Sequence, residues 1–268
     1  MKKHLFTLAA ALALVISLTC ACAPASPPMP SVVSAPVTPE SPEIGATPAN
    51  NLTTYDPTIF NQPMEPAFQN ENLMQKEFPL FDMSKVGTIV QTIDLGGVTQ
   101  VMYHRPGNDQ LYSYLEVGGK DYDLNLYPDS PYDAGPITET GIQEQYAVIY
   151  AYDIGLGADY FQRQYFYITN GIPYLVAQID NASEADIDGD GSIETTSSHG
   201  LPMNTTLYLW DLAERMVSYA DLNAALNSAS VVFDDSNHVF IAAYYDTATT
   251  APINISLKYS NGTLSVQK

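Results

Sequence analysis

The stretch TIVQTIDL (Thr88 to Leu95), the pair Gly96-Gly97 and VTQVMYHR (Val98 to Arg105) decides the fold. The two runs read as alternating strands, and a two-glycine joint supplies the positive φ angles of a tight hairpin turn. The same unit recurs along the chain. Leu111 to Val117 turns at Gly118-Gly119 into Lys120 to Leu126, and Tyr160 to Ile168 turns at Asn170-Gly171 into Ile172 to Asp180. Ile253 to Tyr259 turns at Asn261-Gly262 into Thr263 to Gln267, and Ser230 to Phe233 faces His238 to Tyr245 across Asp234-Asp235-Ser236-Asn237. Only ADLNAALN (Ala220 to Asn227) has a helical pattern, about two turns long. The expected fold is all-β: an antiparallel meander of roughly ten to twelve strands, arranged as a partial propeller-like array or a two-layer sandwich, with one short helix.

Composition bounds what such a domain does. The 268 residues carry 30 acidic and 10 basic side chains, a net charge of −20. Too few Lys and Arg remain to neutralise phosphates, so nucleic acid is excluded as a partner. All 19 tyrosines lie beyond residue 50, a distribution suited to half-exposed strands whose rings pack while their hydroxyls stay wet. A tyrosine-lined groove for sugars or peptides is the alternative reading of the same residues.

The amino terminus concerns address. Lys2 and Lys3 precede the apolar run LFTLAAALALVISL (Leu5 to Leu18), too short to span about 30 Å of hydrocarbon and suited to a signal peptide. Both cysteines of the chain, Cys20 and Cys22, follow directly. The segment resembles the lipobox of bacterial lipoproteins, which implies diacylation of Cys22, with Cys20 as the alternative. A plain secretory peptide cut near Ala21 to Ala25 is the other reading, and either one exports the chain. From Ala23 to Pro66 the chain holds 11 of its 19 prolines among Ser, Thr, Ala and Glu, a composition that buries little and favours an extended spacer. The expected organisation is a lipoprotein signal peptide over 1–22, a disordered Pro-rich tether over 23–70, and a β-rich calcium-binding domain over 71–268. Asn70 to Ser84 reads as a transition that packs on the domain edge.

One segment carries specific chemistry. DIDGDGSIE (Asp186 to Glu194) sets carboxylates at loop positions 1, 3, 5 and 9, with Gly191 at position 6 and Ile193 at position 8. Calcium takes six to eight oxygens, and alternate residues of a tight loop aim at one point. Asp186, Asp188, Asp190, Glu194 and the carbonyl of Ser192 are the candidate ligands, with Ile193 anchoring the loop to the core. Ser197 stands where an EF-hand needs a bidentate carboxylate, and the flanks are strand-like, so an EF-hand is not expected. The loop resembles those of FG-GAP and VCBS-type repeats of integrin-like β-propellers, and EADIDGDGSIETTSSHGLPMNTTLYLWD (Glu184 to Asp211) is similar to bacterial secreted lipoproteins with such a segment and a following aromatic such as Trp210. The resemblance implies a calcium site between strands. Tyr152 to Asp159 (YDIGLGAD) reads as a degenerate earlier copy without a metal.

No catalytic constellation stands out. His104, His199 and His238 show no zinc spacing, and neither a G-x-S-x-G elbow nor a phosphate-cradling glycine loop occurs. His199, just beyond the acidic loop, is the nearest histidine in sequence. The expected function is a lipid-anchored extracellular surface protein, facing outward, whose calcium-stabilised domain binds an unidentified protein or glycan or serves structurally. The alternative is an exported cell-wall glycan or peptide hydrolase using acid pairs. A transporter's substrate-capture lipoprotein is disfavoured by the absence of alternating β-α-β units.

Overall fold

A computed structural model describes residues 52–124, 135–144, 147–157 and 160–267. The signal-like segment, both cysteines and the Pro-rich stretch up to residue 51 lie outside the described residues. Two short strands come first, β1 (Gln69–Asn72) and β2 (Lys76–Glu77). Four antiparallel sheets follow in chain order. Sheet one comprises β3 (Thr88–Asp94), β4 (Val98–His104), β5 (Leu111–Val117) and β6 (Lys120–Asp123). Sheet two comprises β7 (Thr138–Glu144), β8 (Ala147–Gly157), β9 (Tyr160–Thr169) and β10 (Ile172–Asp180). Sheet three contains β11 (Ala182–Ala185), β12 (Glu194–His199), β13 (Asn204–Asp211) and β14 (Met216–Asp221). After α1 (Leu222–Leu226), sheet four contains β15 (Ser230–Asp234), β16 (Val239–Asp246), β17 (Ala251–Ser260) and β18 (Thr263–Val266). The fold is thus the expected all-β meander with one short helix, and among the described residues the sheets close into neither a barrel nor a propeller.

The anticipated hairpins form. Asp94 faces Thr99 across a turn in which Gly96 and Gly97 take φ of 73° and 112°, and the Asp94 carboxylate accepts from the Gly96 N–H at 3.0 Å. The strand count, 18 among the described residues, exceeds ten to twelve because short polar segments such as ASEA (β11) and ETTSSH (β12) also pair. The helix is shorter than its pattern. Ala220 and Asp221 belong to the β13–β14 ladder opposite Leu207 and Thr206, so α1 begins only after Asp221, which caps it through the Ala224 N–H.

Successive sheets share their cores. Val98, Leu115 and Tyr122 of sheet one pack with Tyr152, Phe166 and Leu175 of sheet two. Ile149, Tyr165 and Val176 of sheet two meet Ala182 and Val217 of sheet three. Leu207 and Ala220 of sheet three meet Phe240, Tyr244 and Leu257 of sheet four. Eight tyrosines, including Tyr103, Tyr152, Tyr165 and Tyr244, are buried, so a large share of the tyrosines serves as core rather than as groove lining.

The stretch from Thr53 to Phe81 corrects the expected tether. It binds the four sheets in reverse order: Thr54 bridges Tyr245 and Met64 bridges Leu264 in sheet four, β1 pairs with β14, β2 with β10, and Leu80 bridges Tyr122 of β6. The boundary placed at residue 70 falls inside β1. The reason is spacing. Between the prolines stand Tyr55, Phe60, Met64 and Phe68, each packed against the core shared by sheets three and four, and bulk proline content conceals this regular supply of apolar pegs.

Candidate metal centre

The acidic loop joins β11 to β12. Their ladder sets Ala185 opposite Glu194, so strand pairing alone brings the first and last carboxylates of the motif side by side. The loop between them is held by its own backbone. Asp186 accepts from the N–H groups of Gly189 (2.8 Å) and Gly191 (3.1 Å), and Asp188 accepts from Asp190 N–H at 3.1 Å. Gly189 and Gly191 take φ of 82° and 92°, which side chains with a Cβ rarely adopt. Glu194 accepts from the Ile187 N–H at 2.8 Å.

The outcome is a triad. One oxygen each of Asp186, Asp188 and Glu194 lies within 4.8 Å of the others, the only such group of His, Cys, Asp or Glu among the described residues. Glu194 is buried, 5% exposed, and no lysine or arginine forms an ion pair with it among the described residues. Burial, and then the charges of Asp188, Asp190 and Asp186, push its carboxyl up to about 7 against the opposing effect of the Ile187 N–H. Three carboxylates this close repel, and a cation among them removes both the repulsion and the desolvation cost. The triad can hold a metal ion. Asp190 stands outside it: its side chain is exposed and accepts from the Ser192 N–H at 2.7 Å. Ser192 is exposed as well.

Both flanks are strands. Arg163 of β9 fixes the entry, with Nε and Nη2 on Asp153 at 2.7 and 2.9 Å and Nη1 on Glu184 of β11 at 3.1 Å. Trp210 fixes the exit by donating to Thr195 at 2.9 Å. The loop is also pegged into cores on two sides. Ile187, 1% exposed, lies in the core shared with sheet four, whereas Ile193 packs toward sheet two. Gly141 of β7 makes that approach feasible, since a Cβ there would stand 2.7 Å from Ile193 Cγ1.

The histidine nearest in sequence is not the one that meets the loop. His199 ends β12 exposed, while His238, 52 residues beyond Asp186, places Nδ1 3.1 Å from the Asp186 carbonyl. Tyr259 of β17 is the second group from sheet four; burial, then Asp188, Glu194 and Asp190, push its hydroxyl up to about 12. No signal in the sequence links these residues to the loop, because sheet packing alone brings them together. The supposed degenerate copy is no loop at all: Tyr152 to Gly157 lies in β8, and Asp153 serves Arg163; residues 158 and 159 lie outside the described residues.

A cleft of about 310 Å³ opens between sheets two and three, lined by residues including Leu73, Met74, Tyr167, Leu212 and Arg215. Among the described residues its lining contains no carboxylate. No helix among the described residues is long and apolar enough to cross a membrane. No protein-family model, no curated protein and no solved structure matches the chain.

Proposed function

We propose that the chain is a lipid-anchored, outward-facing surface protein whose β domain binds calcium at the β11–β12 loop and acts as a binding or structural module for an extracellular protein or glycan. The observation carrying this reading is the convergence of Asp186, Asp188 and Glu194, with a buried carboxylate that has no cationic partner among the described residues. An all-oxygen donor set suits a hard cation, and calcium tolerates irregular geometry and added water or carbonyl ligands better than magnesium does. Ser192 through its carbonyl, and Asp190 after a rotation of its side chain, complete the shell. The strand-flanked loop agrees with the resemblance to FG-GAP-type repeats.

Extracellular calcium modules have dissociation constants of roughly 0.1–1 mM, so about 2 mM free ion adds about 0.6–1.8 kcal/mol. That stiffens a loop and its neighbours without holding the whole fold. Calorimetric titration of calcium into the wild type and Asp188→Ala tests the site: heat with the first and none with the second is expected, and no binding by the wild type refutes it. Labelled palmitate incorporated into the wild type and lost in Cys22→Ser, or in Cys20→Ser under the alternative, tests the anchor.

A further inference from the structure

We infer that residues 53–64 form a lid over sheet four that opens while the chain from Pro66 onward stays fastened. The first half of the strap is held at two isolated points. At one end Tyr55 N–H donates to the Tyr245 carbonyl (2.8 Å) and Tyr245 N–H to the Thr53 carbonyl (2.9 Å). At the other, Met64 and Leu264 exchange a pair of bonds at 2.8 Å. Between them lies a 3-10 turn, Pro57–Phe60, whose hydrogen bonds are local. Pro57 and Pro63 have no N–H to offer the sheet. Tyr55, Phe60 and Met64 are only partly buried.

The second half differs in its bonding and in its burial. Pro66 is buried, β1 pairs with β14 through four residues, and β2 pairs with β10. Further bonds run from Leu73 N–H to Arg215, Met74 N–H to Val176, Phe78 N–H to Pro173 and Phe81 N–H to Asp121. The pegs Leu73, Phe78 and Phe81 are 8%, 2% and 9% exposed. Sparse bonding and partial burial mark the segments that open below the global unfolding free energy, and here both change at the same place in the chain.

The lid covers a definite surface. Tyr55 and Phe60 stack on each other at 5.9 Å and present edges to Tyr244 at 5.9 and 5.6 Å. Tyr245 lies beyond the start of β15, whose Ser230 faces Ala243, so that end of β16 has the lid as its neighbour, as does β18 at Leu264. Lifting the lid frees an aromatic floor and two stretches of strand edge. That surface takes a peptide whose two aromatic residues, five positions apart, are brought together by a turn, which is the lid's own chemistry.

Hydrogen exchange on the full chain tests the opening. The Tyr55 and Met64 amides are expected to exchange at least about tenfold faster than those of Leu73, Met74 and Phe78. Equal rates at all five overturn the inference, because the strap then opens only with the whole fold. A labelled peptide of residues 52–64, added to the Tyr55→Ala/Phe60→Ala chain, is expected to bind at least about tenfold tighter than to wild type. Equal affinity for both, or binding to neither, counts against a site beneath the lid.

Discussion

Replacing Glu194 by glutamine separates the cost of a buried carboxylate from its use. In chelated protein the Glu194 carboxyl titrates near 7 rather than at its ordinary 4.5, with burial the largest cause. A group whose pKa is raised by folding is most compatible with the fold below its unfolded pKa, and that advantage is lost as pH rises through the folded value. The window is therefore about pH 4.5 to 7. At about 1.4 kcal/mol per pH unit the full loss is about 3 kcal/mol, or about 6–12 °C in Tm for a domain of this size. The Glu194→Gln side chain keeps the shape and an oxygen for the Ile187 N–H but does not ionise. Many other carboxylates also titrate in this range, so the informative quantity is the difference between the two proteins. Thermal melts in chelator at pH 5 and 7.5 are expected to show wild type losing stability relative to Glu194→Gln as pH rises. Calcium at about 2 mM and pH 7.5 is expected to recover about 0.6–1.8 kcal/mol of that loss in the wild type and none in the variant. Parallel pH slopes for the two proteins in chelator refute the reasoning, since Glu194 is then not desolvated by its site.

Three further outcomes are expected. His238→Ala removes the contact to the Asp186 carbonyl and should weaken calcium binding by about 0.5–1.5 kcal/mol, measured by calorimetry, with the fold retained. Phe81→Ala empties the place of a ring that stacks 4.5 Å from Tyr114 and leans on Tyr103; denaturant titration should show a loss of about 3–5 kcal/mol. Alkaline titration followed by tyrosinate absorbance should show Tyr114, Tyr244 and Tyr259 ionising near 12, burial being the main cause. Because folding raises these values, the neutral rings favour the fold below about pH 10, and stability should fall as pH rises from about 10 to 12.

Much of the local architecture was legible in the chain. Gly96-Gly97, Gly118-Gly119, Asn170-Gly171 and Asn261-Gly262 mark turns because their positive φ angles exclude most other residues, and the runs beside them are strands, although Thr88–Asp94 is exposed on both faces except at the half-buried Ile93. The acidic loop was legible for the same reason, since its spacing and its glycines are local properties. The reading failed where neighbours in space override local pattern. Ala220 and Asp221 carry helical propensity yet pair with β13, and prolines masked the pegs of the strap. Asp190 matches the motif yet turns its carboxylate to Ser192 N–H.

By itself, then, the sequence determined the hairpins, the all-β class and the nine-residue acidic segment, because turn chemistry and strand alternation act between residues a few positions apart. Only the tertiary structure decided that Glu194 is buried, and that His238 and Tyr259 approach the loop from another sheet. It also decided that a proline-rich stretch straps four sheets together. These outcomes depend on surfaces contributed by segments far apart in the chain, and what they bury is set by packing geometry that no local pattern encodes.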